Sequence, residues 1–246
     1  MLHISRSRAF RVAATFAASV VALGACARSS NSQAKPVPEP KWISSADAKA
    51  GWHSLTSLDQ WRIYQSDAAP TGWTASDSIL GKSGPGVDLV SRKTYTDFEL
   101  AFDWMVDPGG NSGVFYRATE EYPKVYWSAP EYAILDDAKH PDGKNPITSA
   151  GAAHSLYASP RGVVKAANEW NTSRIVVKGT HVEHWLNGQM VVSYDYDTPD
   201  YNERLAKSKF AKWANFGKAK SGLIGLQGDH GGTTQYRHMR IREITK

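Results

Sequence analysis

The chain has 246 residues, 41% of them hydrophobic and 22% charged, with a formal charge of +5 and one cysteine. A single cysteine excludes any intrachain disulfide. Arg6, Arg8 and Arg11 sit in the N-terminal segment, and setting them aside takes the charge from +5 to +2, so there is no electrostatic case for a nucleic-acid partner.

Residues 1–25 read as an export signal: the three arginines, then a small, apolar run over 12–21 that is too short for a permanent span. Leu23-Gly24-Ala25-Cys26 has the form of a lipobox, which makes Cys26 the expected lipidation site. The expected product is an exported lipoprotein, anchored to a membrane through Cys26, on the periplasmic or outer-membrane side of a Gram-negative envelope. Residues 26–41 are rich in Ser, Pro and Ala and read as a flexible tether. Residues 42–246 contain all nine tryptophans and suit one all-β domain with a sizeable core.

Within that body, residues 51–55 and 61–64 read as entry strands, and 73–75 and 79–80 lead through a glycine-rich turn at 81–86 into 87–90. Residues 98–106 alternate with period two, placing Phe98, Leu100, Phe102, Trp104 and Val106 on a face that belongs to an inter-sheet core. In 111–117 the odd positions set Asn111, Gly113, Phe115 and Arg117 on one face, opposite Val114 and Tyr116. In 131–136 Glu131, Ala133 and Leu135 oppose Tyr132, Ile134 and Asp136. Residues 137–168 are irregular and read as long loops over one face, a usual place for function. Residues 175–177, 182–186 and 190–192 form three antiparallel strands, joined by Lys178-Gly179-Thr180 and by Asn187-Gly188, turns whose residues tolerate positive φ. Residues 201–218 are a short helix or another loop, and 223–227 and 235–244 close the sheet. The elements predict a β-sandwich of two antiparallel sheets.

Six motifs, in order, carry a resemblance: Asn111-Ser112-Gly113-Val114-Phe115-Tyr116-Arg117, Glu131-Tyr132-Ala133-Ile134-Leu135-Asp136-Asp137, Glu169-Trp170-Asn171, Val182-Glu183-His184-Trp185-Leu186-Asn187-Gly188, Gly225-Leu226-Gln227-Gly228-Asp229-His230-Gly231 and Arg240-Ile241-Arg242-Glu243. With them the chain resembles the 3-keto-disaccharide hydrolase family, formerly a domain of unknown function, which has the concanavalin-like jelly roll of laminarinases and legume lectins. It departs at Ala133, where the family pattern calls for glutamine. The resemblance implies a hydrolase acting on oxidised, 3-keto oligosaccharides or glycosides.

A ketone at C3 acidifies the C2 proton and places the C1 oxygen β to a carbonyl. A base can then form an enolate, the leaving group departs, and water adds back, so that the sum is hydrolysis. Such a site needs a base, a proton donor for the leaving oxygen and a group that stabilises the enolate. Direct displacement with two carboxylates is the alternative route. Glu131 is the first candidate for acid or base, expected at a cleft rim; a solvated edge glutamate is the bland reading. Asp229 and His230, adjacent on a glycine-flanked loop, come next, because imidazole titrates near neutrality; their bland reading is a turn aspartate beside an exposed histidine. His184 is a further catalytic candidate. Arg117 suits an enolate or hydroxyl, Asn111 and Gln227 suit substrate hydroxyls, and Trp185 suits stacking on a pyranose. Against these stand a surface salt bridge for Arg117, a turn residue for Asn111 and plain core burial for Trp185. His184 and Trp185 point to opposite faces, so at most one reaches the cleft. Trp170 reads as core.

No metal site is assigned, because His181 and His184 fall on opposite strand faces. No cofactor is predicted, and a divalent cation held by residues distant in sequence stays open as a Lewis acid for the enolate. A non-catalytic carbohydrate-binding module on the same fold is the main competitor, and a structural envelope lipoprotein the other; fold alone does not separate them. Convergence of Glu131, Arg117 and His230 in one pocket would, as against a shallow aromatic platform without a paired acid and base.

Overall fold

The computed structural model describes residues 42–76 and 78–245. The expected export signal, Cys26 and the tether at 26–41 lie outside the described residues. A short helix, α1 (Ser45–Lys49), precedes β1 (His53–Ser54), β2 (Trp61–Ile63), β3 (Trp73–Ser76), β4 (Ile79–Ser83), β5 (Leu89–Tyr95), β6 (Phe98–Val106), β7 (Asn111–Ala118) and β8 (Glu131–Leu135). After a long irregular stretch come β9 (Asn171–Lys178), β10 (His181–Leu186), β11 (Gln189–Asp195), α2 (Pro199–Lys207), β12 (Gly222–Leu226) and β13 (Thr233–Glu243). Of the two readings of 201–218, the helix holds for its first part, where the Thr198 side chain accepts from Tyr201 N and Pro199 opens the first turn.

Two antiparallel sheets result. The larger runs β11-β10-β9-β6-β13-β4-β3, with β1 also on β13; the smaller runs β2-β5-β12-β7-β8. Strand β6 explains why they face each other. Its period-two alternation drives Phe98, Leu100, Phe102, Trp104 and Val106 inward to almost complete burial, each contributing about 1.5–3 kcal/mol. Val114, Tyr116, Tyr132, Ile134, Ile224 and Leu226 join the same core from the smaller sheet. The β10–β11 hairpin turns on Asn187 and Gly188, both with positive φ (49° and 82°), the backbone that matches strand twist. The smaller sheet carries a second apolar cluster of Val90, Phe115, Ala118, Val125, Ala129 and Leu223. Strand parity puts that cluster on the face turned away from the core.

Several expectations are corrected by this architecture. The glycine-rich turn begins later than read, because β4 continues through Ser83, pairing Gly81 with Gln235 and Lys82 with Thr234. Arg117 does not continue the face of Asn111 and Phe115. It has φ 55°, and β7 spends three residues (115 to 118) where β12 spends two (223 to 225), the signature of a β-bulge. The bulge re-aims the guanidinium toward Thr96 O (3.0 Å), Gly179 O (2.8 Å) and Asp97 Oδ1 (3.4 Å), where it is buried as a structural tie.

His184 lies in the inter-sheet core. Tyr116 Oη lies 2.9 Å from Nε2, and Nδ1 lies 3.0 Å from Gly151 O. A carbonyl only accepts, so Nδ1 carries the proton, Nε2 takes the phenol's, and burial pushes the ring's pKa down to about 4. Trp185 faces the opposite way, onto the outer side of the larger sheet, under the Arg174 guanidinium (4.3 Å to the ring centre), with its Nε1 donating to Glu183 Oε2 (2.7 Å). Neither reaches the cleft, because both faces of β10 belong to the wrong sheet for it. Trp170 is only partly buried, beneath Arg237, rather than in the core.

Candidate active site

The cleft, of about 440 Å³, opens on the outer face of the smaller sheet. Glu131, Asn111 and Gln227 come from adjacent strands β8, β7 and the end of β12. Glu131 is not at a rim, as strand position alone suggested; it is on the floor and 8% exposed. Its neighbour across the ladder explains how. Cross-strand pairing puts Glu131 opposite Phe115, and the carboxyl leans over Gly113, where a methyl group would lie 2.5 Å from Oε1. Only glycine leaves that space. Burial is the main cause that pushes Glu131 up to about 8, and the carboxylates of Asp229, Asp88 and Asp142 push the same way against the Lys209 charge. Near neutral pH the group is therefore mostly a carboxylic acid, able to donate a proton.

One wall is the loop after β12. Gln227 N donates to Gly113 O (2.9 Å), and Gln227 O accepts from Ser112 Oγ (2.8 Å), which fixes the loop to β7. The Gln227 side-chain oxygen is buried and has no partner among the described residues, leaving an acceptor for a ligand hydroxyl. Asp229 Oδ1 and His230 Nε2 are 3.8 Å apart and partly exposed. Behind them Lys82, 3% exposed, donates to His230 O (2.7 Å) and Gly84 O (3.0 Å). A buried ammonium thus pins the histidine's backbone.

The opposite wall comes from the long irregular stretch. Residue 154 is tied to β8 by His154 N donating to Glu131 O (3.0 Å). Its ring meets Lys209 Nζ at 2.9 Å, and burial, with Lys209 adding to it, depresses His154 to about 4. The imidazole is neutral and accepts from the ammonium, so the dyad presents one positive charge to the cleft. Asn111 Nδ2 lies 3.2 Å from His140 Nε2, and the His140 ring also caps the turn that presents Asp142. The remaining side is aromatic: Trp127 and Trp213 stack at 5.0 Å and 21°, with Tyr126 edge-on to both.

The structure therefore brings together Glu131, Asn111, Gln227, Asp229 and His230, and excludes Arg117, His184 and Trp185. Lys209, Lys212, Trp127 and Trp213 line the cleft, whereas Arg117 and Trp185 do not. His154 lay inside the stretch read as functional loops, a signal that could have singled it out; Lys209 and Trp213 follow a weakly patterned helix and had none. Among the described residues no group of three or more His, Cys, Asp or Glu is placed to hold a metal ion. The arrangement offers a neutral carboxylic acid, an acid–imidazole pair and an ammonium within one crevice, the set required for proton transfer at carbon beside a developing oxyanion.

A family model described as the 3-keto-alpha-glucoside-1,2-lyase-like domain matches residues 41–242. A 3-keto-disaccharide hydrolase of Bacteroides thetaiotaomicron is 33% identical over 243 residues, which cover 85% of this chain and 80% of that protein. Among solved structures, a "putative glycosyl hydrolase" of Parabacteroides distasonis superposes with a TM-score of 0.76 at 26% identity, over 82% of this chain and 98% of that one. A Bacillus subtilis protein of unknown function with a galectin-like fold has a TM-score of 0.53 at 15% identity, covering 77% of this chain and 92% of its own. This likeness supports the jelly-roll sandwich as the fold.

Proposed function

The chain belongs to the 3-keto-alpha-glucoside-1,2-lyase-like family, and on that premise we propose that its cleft cleaves glycosides whose C3 hydroxyl has been oxidised to a ketone, by elimination followed by hydration. At the coarser level the protein is a glycoside hydrolase. The observation that carries the finer reading is Glu131, buried over Gly113 and held mostly neutral, in the same crevice as Asp229–His230 and the Lys209–His154 dyad.

In the proposed sequence His230, supported by Asp229, takes the C2 proton, and the bonding pair forms an enolate across C2 and C3. The Lys209 ammonium stabilises the charge on the C3 oxygen. The enolate then collapses: C3=O re-forms, C1=C2 forms, and the C1–O bond breaks as the glycosidic oxygen takes the proton of Glu131. Water adds at C1, giving its proton to the Glu131 carboxylate, and C2 recovers a proton from His230. Bonds and charges balance, and the net change is hydrolysis. A carbohydrate-binding platform has no use for a carboxyl that burial holds well above the ordinary carboxylate range, whereas proton-transfer sites commonly carry one.

Incubation with methyl 3-keto-glucoside in deuterated water tests this route. The released 3-keto-glucose should carry deuterium at C2 above the level in 3-keto-glucose incubated alone; release without that excess would sink the elimination. Export and lipidation at Cys26 are proposed on the sequence motif. Fatty-acid labelling of the expressed chain should disappear in Cys26→Ser, and labelling that persists would refute that anchor.

A further inference from the structure

Glu131 divides the cleft into two chemically different halves along the strand direction. Pairing sets Gly225, Phe115 and Glu131 in one row across β12, β7 and β8. Toward one end of that row lie Gln227 and Asn111, followed by Asp229 and His230, all of them polar. Within the row Phe115 and Gly225 are covered by Val125, whose Cγ2 lies 3.3 Å from where a Gly225 methyl would be, and toward the other end Val125 clusters with Ala118 and Leu223. Tyr126 and Trp127 continue from it. Trp213 joins them from the segment after α2. Its ring has Lys212 Nζ at 4.4 Å and Trp127 stacked at 5.0 Å. Trp127, half-buried, lines the cleft beside it and directly follows the Val125–Tyr126 cover.

We infer that the aromatic half is a leaving-group subsite, with Trp127 as its platform, and that it takes aglycones presenting a flat apolar face. The inference rests on the reading of Glu131 as proton donor, because the donor marks the position of the glycosidic oxygen. The oxidised sugar then occupies the polar half, where its hydroxyls and the C2 proton meet Gln227, Asn111 and His230. The group on the other side of the oxygen meets rings. An aryl ring and the apolar face of a second pyranose share this chemistry; a methyl group has none of it.

The test compares kcat/KM for 4-nitrophenyl 3-keto-glucoside, a 3-keto-disaccharide and methyl 3-keto-glucoside in the wild type, Trp127→Ala and Trp127→Phe. Differences in leaving-group reactivity cancel when the aryl-to-methyl ratio is compared between proteins. Trp127→Ala should lower that ratio on the order of tenfold, the size of one stacked aromatic contact with its burial, and Trp127→Phe should keep most of the ratio. A parallel fall in the disaccharide-to-methyl ratio assigns the platform to sugars as well; an unchanged disaccharide ratio restricts it to aryl groups. An aryl-to-methyl ratio unmoved in Trp127→Ala overturns the subsite while leaving the elimination intact. Should that variant fail to fold, Trp127→Leu reads the same ratio with part of the apolar volume kept. If the wild type turns over none of the three, the parent reading has failed and the subsite falls with it.

Discussion

Replacing Glu131 with glutamine should stabilise the protein and abolish its activity, and both effects come from the same burial. Glutamine copies the shape of the neutral acid but has no charged form to bury. In the unfolded chain Glu131 titrates near 4.5; in the fold it titrates at about 8. Between those values the folded state holds a proton that the unfolded state has released, so wild-type stability falls as pH rises, at about 1.4 kcal/mol per pH unit. The penalty is absent below pH 4.5, reaches about 3 kcal/mol at pH 7 and levels off near 5 kcal/mol above pH 8. Against a typical total of about 5–15 kcal/mol, that is a large share. Urea denaturation of wild type and Glu131→Gln from pH 4.5 to 9 would measure it as a stability difference that opens with pH. A difference independent of pH, or a variant less stable at pH 8 than at pH 5 relative to wild type, would refute the burial argument. Turnover of 3-keto-glucosides by Glu131→Gln should be reduced by at least about a hundredfold, within the usual range for a lost general acid.

Gly113→Ala should cost activity by displacing the Glu131 carboxyl, since the added methyl lies 2.5 Å from Oε1; kinetics should show at least about a tenfold loss in kcat/KM, and urea unfolding a cost of about 1–3 kcal/mol. Lys82→Met removes the donor that holds His230 O and Gly84 O, so kcat should fall several-fold and stability by about 1–3 kcal/mol; unchanged kcat would mean the His230 loop keeps its place without the ammonium. Arg117→Met should do the opposite of what the strand face first suggested, lowering stability by about 2 kcal/mol or more through unpaired carbonyls at Thr96 and Gly179. Its kcat/KM should stay within about twofold, and a selective kinetic loss would return Arg117 to the site.

What could be read from the chain alone was what short-range periodicity controls. The alternation of Phe98 to Val106 and the Asn187-Gly188 turn are local signals, and both elements stand where they were placed. The family resemblance was carried by such local motifs too. Parity put His184 and Trp185 on opposite faces, but parity cannot say which face of which sheet a cleft will use, and both missed it. Arg117 was misplaced because a bulge inserts one residue against a partner strand more than a hundred positions away. Glu131 lies deeper than its strand position suggested, since the space above Gly113 exists only once β7 and β8 pair. The His154–Lys209 contact joins residues 55 positions apart, from an irregular loop and a weakly patterned helix. Side chains that converge through loops leave no periodic trace.

The second apolar cluster, of Val90, Phe115, Ala118, Val125, Ala129 and Leu223, gives the segment 119–130 a foundation separate from the main interior. Tyr126 packs on that cluster, and Trp127 stacks on Trp213, which packs on the main core, so the two rings sit at the edge where the two interiors meet. If aglycones are held there as inferred, a change of accepted aglycone is expected to need that segment together with Trp213, with the acid at position 131 and its glycine counterpart unaltered beneath it. Grafting 119–130 together with position 213 between members of the family would be a direct way to transplant substrate preference.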